Sequence, residues 1–513
     1  MSDLLWPGDA RSGDLCTDAT ILTAMLRVES AWLDSRHPDP PTPKAATNPH
    51  TTLTETNRFV SPTASTSAET SRSVSPATPA APNFAETSRG VSPITPAAPA
   101  SSETNRFVTP AVPGSDETNR FVTQPTPRPD ETNRFVTQPT PRPDETNRFV
   151  SPGAGEAAGS GAPGVESAAA GLLALVGPED LPGLAVAAEE GGNPVIPLLA
   201  LLRERLGDDP RAGQLHQGLT SQDVLDTALA ICLREAAARI RGDLAAQIGF
   251  LAALADRHRR TDMAGRTLTQ HAVPITFGLK VAGWLQATLD ARDLLEAAAD
   301  LPVQIGGAAG SLAAVVAIEG SPERAVARVA ATAALLGLPV RPPWHTSRGV
   351  FTRFGDALVT CTDAWGRIAN DVLTLGRPEI GELSLATSGG SSAMPNKKNP
   401  TLAVLVRRAA LAGPPLAATL HMAAASMVDE RADGAWHVEW DTLRTLTRRT
   451  VAAGSQITDL LAGLRVDEQR MAATLAAARP GIDAEQRKYA RVEGPYRGAT
   501  DEIIDAALAR AGE

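Results

Sequence analysis

The chain has 513 residues, 42% of them hydrophobic, and 58 acidic against 48 basic side chains give it a formal net charge of −10. That length leaves room for three domains at roughly 150 residues each and for a large core, while an acidic balance without any lysine- or arginine-rich block excludes the electrostatic footprint of a nucleic-acid binder. Three well-separated cysteines, Cys16, Cys232 and Cys361, supply no disulfide framework and fit a reducing compartment, and eight histidines without paired-ligand spacing give no support to a metal site. The start, MSDLLWPGDARSGDL, lacks the basic-then-apolar layout of a leader, and no run of 18 apolar residues occurs, so a cytoplasmic protein off the membrane is expected.

Between Thr17 and Leu33, the residues Ile21, Leu22, Met25, Val28 and Trp32 recur at helical spacing behind a cap at Thr17 or Asp18, which predicts an amphipathic helix. The composition then shifts to Pro, Thr, Ser, Ala and Gly from about residue 34 to 165. Within this stretch the unit ET(N/S)R-x-V-(S/T) begins at Glu55, Glu69, Glu86, Glu103, Glu117, Glu131 and Glu145, seven copies set 14 or 17 residues apart. Each copy offers at most a Phe and a Val between prolines, too little apolar surface to offset the entropy of ordering. Residues 34–165 are therefore expected to be a disordered insertion, either a linker or a display of near-identical short peptides, and not a solenoid, whose repeats need a hydrophobic face to stack.

After Ser167 the chain becomes rich in Ala and Leu. Gln222 to His258 reads as one very long helix, a second follows Pro274, and a third runs from Asp356 to Leu375. Strand-like alternation is not visible and aromatics make up only 4% of the residues. The pattern predicts an all-α architecture built on a bundle of long helices. Apolar stripes this wide on helices this long imply burial against partner chains as well as within one chain, so an oligomer is expected.

Three polar, glycine-containing stretches interrupt the helices. In HQGLTSQDVLDTA, from His216 to Ala228, Thr220 and Ser221 precede the long helix with Asp223 at capping-box spacing; the plain reading is a cap, the functional one a carboxylate site at a helix N-terminus. In GRTLTQHAVPITFGLKVAGW, Gln270 and His271 stand just before what reads as a proline-started helix. SGGSSAMPNKKNP, from Ser388 to Pro400, cannot be helical. Its small residues let backbone N–H groups approach an anion, and Lys397, Lys398 and Asn399 add donors, although a bland surface loop would look the same.

GSSAMPNKKNP resembles the GSSxMPxKxNP signature of the fumarase/aspartase superfamily, and the other two stretches fall, in order, where that superfamily has its first and second signature regions. LLWPGDARSGDLCTDATILTAMLRVESAWL, GGNPVIPLL, TFGLKVAGWL, LPVQIGGAAGSLAA, WHTSRG and DERADGAWHVEW are most similar to its 3-carboxy-cis,cis-muconate cycloisomerase branch. The resemblance covers residues 1–33 and about 167–470 and omits the repeats. Two departures separate the chain from adenylosuccinate lyases: Leu268 and Asn193 stand where their pattern carries histidines.

The resemblance implies a cofactor-free enzyme that makes or breaks a bond at the carbon beta to a carboxylate through an aci-carboxylate intermediate, here a lactonisation of 3-carboxy-cis,cis-muconate in the catabolism of aromatic compounds. By motif position Ser391, Lys397 and Asn399 would be catalytic, Ser391 exchanging the carbon-bound proton and the other two stabilising the intermediate. Thr220, Ser221 and His216 would bind a substrate carboxylate, with Asn193, Gln270, His271 and Arg348 as further contacts for a tricarboxylate. The expected assembly is a homotetramer whose sites combine residues from several subunits, so that a single chain holds an incomplete site. The expected layout is residues 1–33 and 166–220 as an N-terminal helical domain around the insertion, 221–465 as the central bundle and 466–513 as a short C-terminal helical region. A fumarate-releasing lyase, and a non-catalytic scaffold displaying the repeats, remain alternatives.

Overall fold

The computed structural model describes residues 3–36, 168–387, 389–390, 392–394, 396–488 and 496–513. One compact unit comprises residues 1–44 and 161–513; the other, residues 45–160, lies outside the described residues, as do the repeats, the disorder expected of them and Ser391.

Helix α1 (Asp18–Asp34) forms as its stripe predicts, with the Thr17 hydroxyl accepting the Thr20 N–H at 3.3 Å. Four shorter helices follow: α2 (Ala168–Leu173), α3 (Leu181–Gly191), α4 (Val195–Leu206) and α5 (Pro210–Gln214). The 37-residue helix α6 (Ser221–Arg257) starts where Thr220 caps it, the Thr220 N–H donating to Asp223 Oδ2 at 3.0 Å. Strands β1 (Asp262–Thr267) and β2 (Gln270–Thr276) then precede α7 (Phe277–Ala298), α8 (Ala313–Glu319), α9 (Pro322–Leu336) and α10 (Gly349–Leu375). Strand β3 (Leu383–Leu385), α11 (Thr401–Ala425), α12 (Gly434–Ala462), β4 (Leu464–Val466), α13 (Glu468–Gln486) and α14 (Thr500–Ala511) complete the chain. No described helix is long and apolar enough to cross a membrane.

Side-chain contacts fix the helix directions. Helix α7 runs back along α6: the Gly278 N–H donates to the His258 carbonyl at 2.9 Å, and a Cβ on Gly278 would lie 2.6 Å from the Ala255 carbonyl oxygen, so only glycine allows this approach. At the other end of α6, the Thr227 hydroxyl donates to the Gln304 carbonyl at 3.0 Å. Arg348, just before α10, reaches Asp226 on α6 and Glu439 on α12. Further along, Gln247 on α6 donates to the Gly454 carbonyl on α12 and accepts from Trp365 Nε1 on α10. Helix α11 returns antiparallel, with His421 beside Asp356. The result is a five-helix bundle in which α6, α10 and α12 point one way and α7 and α11 the other, around a core containing Trp284, Trp365, Phe277, Phe351 and Phe354.

The helical architecture follows the expectation, although α10 begins at Gly349, ahead of the expected Asp356, and the second polar stretch departs from it. Gln270 and His271 do not precede a proline-started helix. They lie in β2, which pairs antiparallel with β1 from Asp262↔Thr276 to Thr267↔Gln270, and α7 begins three residues after Pro274 with Thr276 as its cap. Pro274 fits because a two-stranded sheet leaves donor positions on its outer edges unpaired. A second short pair, β3 with β4, ties the chain after α10 to the end of α12. Helix α14 packs on α7 through Arg510, which meets Asp290 and Asp293 at 2.6 Å each.

Candidate active site

At the end of the bundle where α6 begins, four of the expected residues gather. Thr220 is buried and Ser221 half-buried at the α6 N-terminus, whose free N–H groups and dipole favour an anion. His216 lies just upstream, its Nδ1 2.6 Å from Glu29 Oε1. Asn193 is buried, and its side chain serves the local turn before α4: Oδ1 accepts the Val195 N–H and Nδ2 donates to the Gly191 carbonyl, both at 3.1 Å. Pro194, Leu225, His437 and Trp440 line a small cavity beside this turn.

Arg348 belongs to the same end, and its expected role as a substrate contact is corrected. Its side chain is fully buried. Nε and Nη2 donate to Glu439, Nη1 and Nη2 to Asp226, with the shortest contacts at 2.6 Å. Four of the five guanidinium donors are thereby committed to protein carboxylates and the fifth, on Nη1, faces the carbonyls of Trp344 and His345 at 3.5 and 3.4 Å, so the fork is filled from within the chain. Burial opposes the charge on Arg348, but the two carboxylates outweigh it and hold the guanidinium above its ordinary value. Burial also pushes the Glu439 carboxyl up to about 7 against the pull of Arg348, because the dry cluster of one cation and two carboxylates carries an excess negative charge.

At the opposite end lie the hairpin and the glycine-rich loop. The loop is closed at its neck by Gly389 and Asn399, which exchange backbone hydrogen bonds of 2.9 and 3.0 Å, while Asn399 Nδ2 donates to the Gly390 carbonyl at 3.0 Å. A Cβ on Gly389 would meet the Thr401 Oγ1 hydroxyl, which would have to rotate away, so the neck favours glycine. Lys397 and Lys398 are exposed on the loop and form no ion pair among the described residues. Gln270 and His271 are exposed on β2. The hairpin is fixed to the loop's base by Arg266, which grips the buried Glu382 with bonds of 2.7 and 3.0 Å. Its two-residue tip, Leu268 and Thr269, has φ of +47° and +68°, a turn that usually takes Asn or Gly, and Leu268 is 96% exposed.

The expected residues thus divide by position. Asn193, His216, Thr220, Ser221 and Arg348 sit at one end; Gln270, His271, Lys397 and Asn399 sit at the other. Helix α10, with 27 residues, separates the two ends by about 40 Å at 1.5 Å per residue. No single chain brings the two sets together.

Two partners were missed in the sequence. Glu29 carries a signal: it falls four residues after Met25 on the buried stripe of α1, where a carboxylate must find a donor. Glu382 has none, since it lies in a connection without periodicity.

The family profile described as Lyase matches residues 196–412. Nitrosuccinate lyase of Streptomyces davaonensis is 46% identical over 321 residues, covering 60% of this chain and 68% of that protein. The 3-carboxy-cis,cis-muconate cycloisomerase of Bradyrhizobium diazoefficiens is 39% identical over 339 residues, covering 65% and 74%. Among solved structures, 3-carboxy-cis,cis-muconate lactonizing enzyme from Pseudomonas putida matches with a TM-score of 0.58 at 33% identity, over 68% of this chain and 78% of that one. Fumarate lyase from Mesorhizobium sp. BNC1 matches with a TM-score of 0.56 at 30% identity over the same shares. The long antiparallel bundle, the glycine-necked loop and relatives matched over more than two thirds of their length agree with the resemblance read from GSSAMPNKKNP: the chain is an enzyme of the fumarase/aspartase superfamily of lyases.

Proposed function

We propose that the protein eliminates a beta substituent from a C4 dicarboxylate, with nitrosuccinate as the substrate to test first. The observation that carries this choice is the commitment of Arg348 to Asp226 and Glu439. Without Arg348, the lysine and arginine side chains left among the candidate residues and their loop are Lys397 and Lys398, a set suited to two carboxylates and short for the tricarboxylate that the sequence resemblance suggests. The 46% identity to a nitrosuccinate lyase points the same way.

In this reading the loop base, Ser391 by its place in the motif, removes a proton from C3. The electron pair forms the double bond as the C2–N bond breaks, releasing nitrite and fumarate. Lys397 and the Asn399 amide stabilise the extra negative charge on the adjacent carboxylate, and the N-terminus of α6, with Thr220 and Ser221, holds the other carboxylate. Gln270 and His271, on the same end as the loop, are further contacts. Because the two ends lie about 40 Å apart along α10, the site forms only where one subunit's loop meets another's α6 N-terminus. A homotetramer is the assembly proposed, with the exposed Val404, Leu411 and Met422 of α11 available to bury against neighbours.

Lactonisation of 3-carboxy-cis,cis-muconate is the second reading, favoured by the likeness to the lactonizing enzyme from Pseudomonas putida. Both reactions move a proton at the carbon beside a carboxylate, taken from carbon in the elimination and delivered to it in the lactonisation, and they differ also in whether a group leaves. Purified protein is incubated with each substrate, and nitrite release and loss of diene absorbance are followed in parallel. Nitrite with stoichiometric fumarate is the expected result. Diene loss without nitrite release would replace the first reading with the second.

A further inference from the structure

Upstream of α6 the chain turns sharply at His216, whose φ of +60° is a left-handed conformation that a non-glycine residue keeps only when its surroundings impose it. Helix α1 supplies those surroundings. Glu29 Oε2 accepts the His216 backbone N–H at 3.1 Å, Trp32 Nε1 donates to the Gln217 carbonyl at 2.9 Å, and Arg36 donates to the Gln217 side-chain oxygen. The same carboxylate holds the ring, with Oε1 2.6 Å from Nδ1. Glu29 is fully buried, whereas the His216 side chain keeps 15% of its surface exposed. Both oxygens of Glu29 thus face His216, Oε2 on the backbone N–H and Oε1 on the ring, an arrangement that places the bond's proton on Nδ1, and Nε2 has no hydrogen-bond partner among the described residues.

We infer that Glu29 is a positioning residue: it locks His216 in one ring orientation and one tautomer, so that Nε2 is the nitrogen that meets the substrate's departing group. This rests on the elimination reading given above. As the C2–N bond breaks and its electrons leave on nitrite, the Nε2 proton of the charged ring passes to a nitrite oxygen. The C3 proton goes to the loop base, and the neutral imidazole left behind keeps Nδ1–H on Glu29. A buried carboxylate 2.6 Å from the far ring nitrogen fixes the ring's orientation and forbids the alternative tautomer of the neutral ring after transfer. The motif-based role of His216, binding a carboxylate, requires no such partner.

The test uses the full chain with 15N-labelled histidine. His216→Asn identifies the His216 ring signals by their loss, and their long-range couplings to ring protons report the tautomer of the neutral ring. At a pH where the ring is neutral, its proton is expected on Nδ1 in the unsubstituted protein; a neutral ring with its proton on Nε2 overturns the inference. In parallel, Glu29→Gln is expected to lower kcat for nitrite release about 100-fold with KM within about threefold. Trp32→Phe, which removes a brace and leaves the ring contact, is expected to keep kcat within about threefold. Equal losses in the two variants would show that Glu29 is only part of the clamp and refute the positioning role. If the unsubstituted protein does not release nitrite, the substrate reading fails, and the tautomer alone decides the role of Glu29.

Discussion

Replacing Glu439 with glutamine is expected to remove most of the pH dependence of stability that arises from the buried cluster at the α6 end. Glu439 shares the Arg348 guanidinium with Asp226, and burial raises its carboxyl from 4.5 to about 7. A carboxyl raised on folding binds its proton more tightly in the native state. The stabilisation is therefore complete below the unfolded value near 4.5 and is lost as pH rises through about 7. At 1.36 kcal/mol per unit, this group accounts for about 3 kcal/mol of stability lost between pH 4.5 and pH 8. Urea unfolding from pH 5 to 8 at fixed protomer concentration, with the assembly state checked at each pH, gives the slope for the native chain and for Glu439→Gln. Glutamine mimics the protonated acid, so the variant's slope is expected to be flatter across this window, with the two proteins closest in stability at pH 5. Parallel slopes would refute the assignment of the proton to Glu439 and leave the excess charge of the cluster to be neutralised elsewhere.

Arg348→Met is expected to destabilise the protein by roughly 3–5 kcal/mol, measured by urea unfolding at pH 7.5, because it strands two buried carboxylates. Lys397→Ala lies on an exposed loop and is expected to leave the melting temperature unchanged while lowering kcat/KM about 100-fold; a loss smaller than tenfold would remove Lys397 from the chemistry. Mixing Thr220→Val with Lys397→Ala subunits, one altered at each end of the bundle, is expected to restore about a quarter of native activity after subunit exchange, since random pairing leaves that share of sites intact at both ends. No recovery despite proven exchange would place both ends in one chain. Replacing residues 37–165 with a short Gly/Ser linker, keeping Ser35 and Arg36 where they meet Arg328 and Gln217, is expected to leave kcat and assembly unchanged.

The features legible in the sequence are those with local causes. Helix α6 could be placed to within a residue at each end because Thr220 and Asp223 cap it and its apolar stripe does not break. The loop around Lys397 was visible because glycine, proline and asparagine forbid a helix there. The β1–β2 hairpin was not visible: β1 carries a register shift between Ala264 and Arg266, β2 contains Pro274, and the tip is Leu268–Thr269 in place of Asn–Gly. What holds this hairpin is distant, namely the Arg266–Glu382 pair and the packing of α13, and nothing in its own residues announces either.

Arg348 shows the same limit on the side of function. An arginine beside a helix start in a chain expected to bind carboxylates reads as a ligand contact, and its type and position are right for one. Its carboxylate partners lie 122 and 91 residues away along the chain, so the local sequence cannot distinguish an arginine kept for substrate from one already paired. The distinction changes the chemistry assigned to the site. An unpaired cation at the α6 end would have supplied a third carboxylate contact. In the proposed reading, with that cation neutralised, this end holds one carboxylate through the helix N–H groups, Thr220 and Ser221. The same reading takes its lysine charge from the loop, about 40 Å away in the same chain, and so calls for an assembly that brings the two ends together. The internal pairing of one arginine thus links, within the proposed reading, the number of carboxylates assigned to the substrate to the number of subunits assigned to its site.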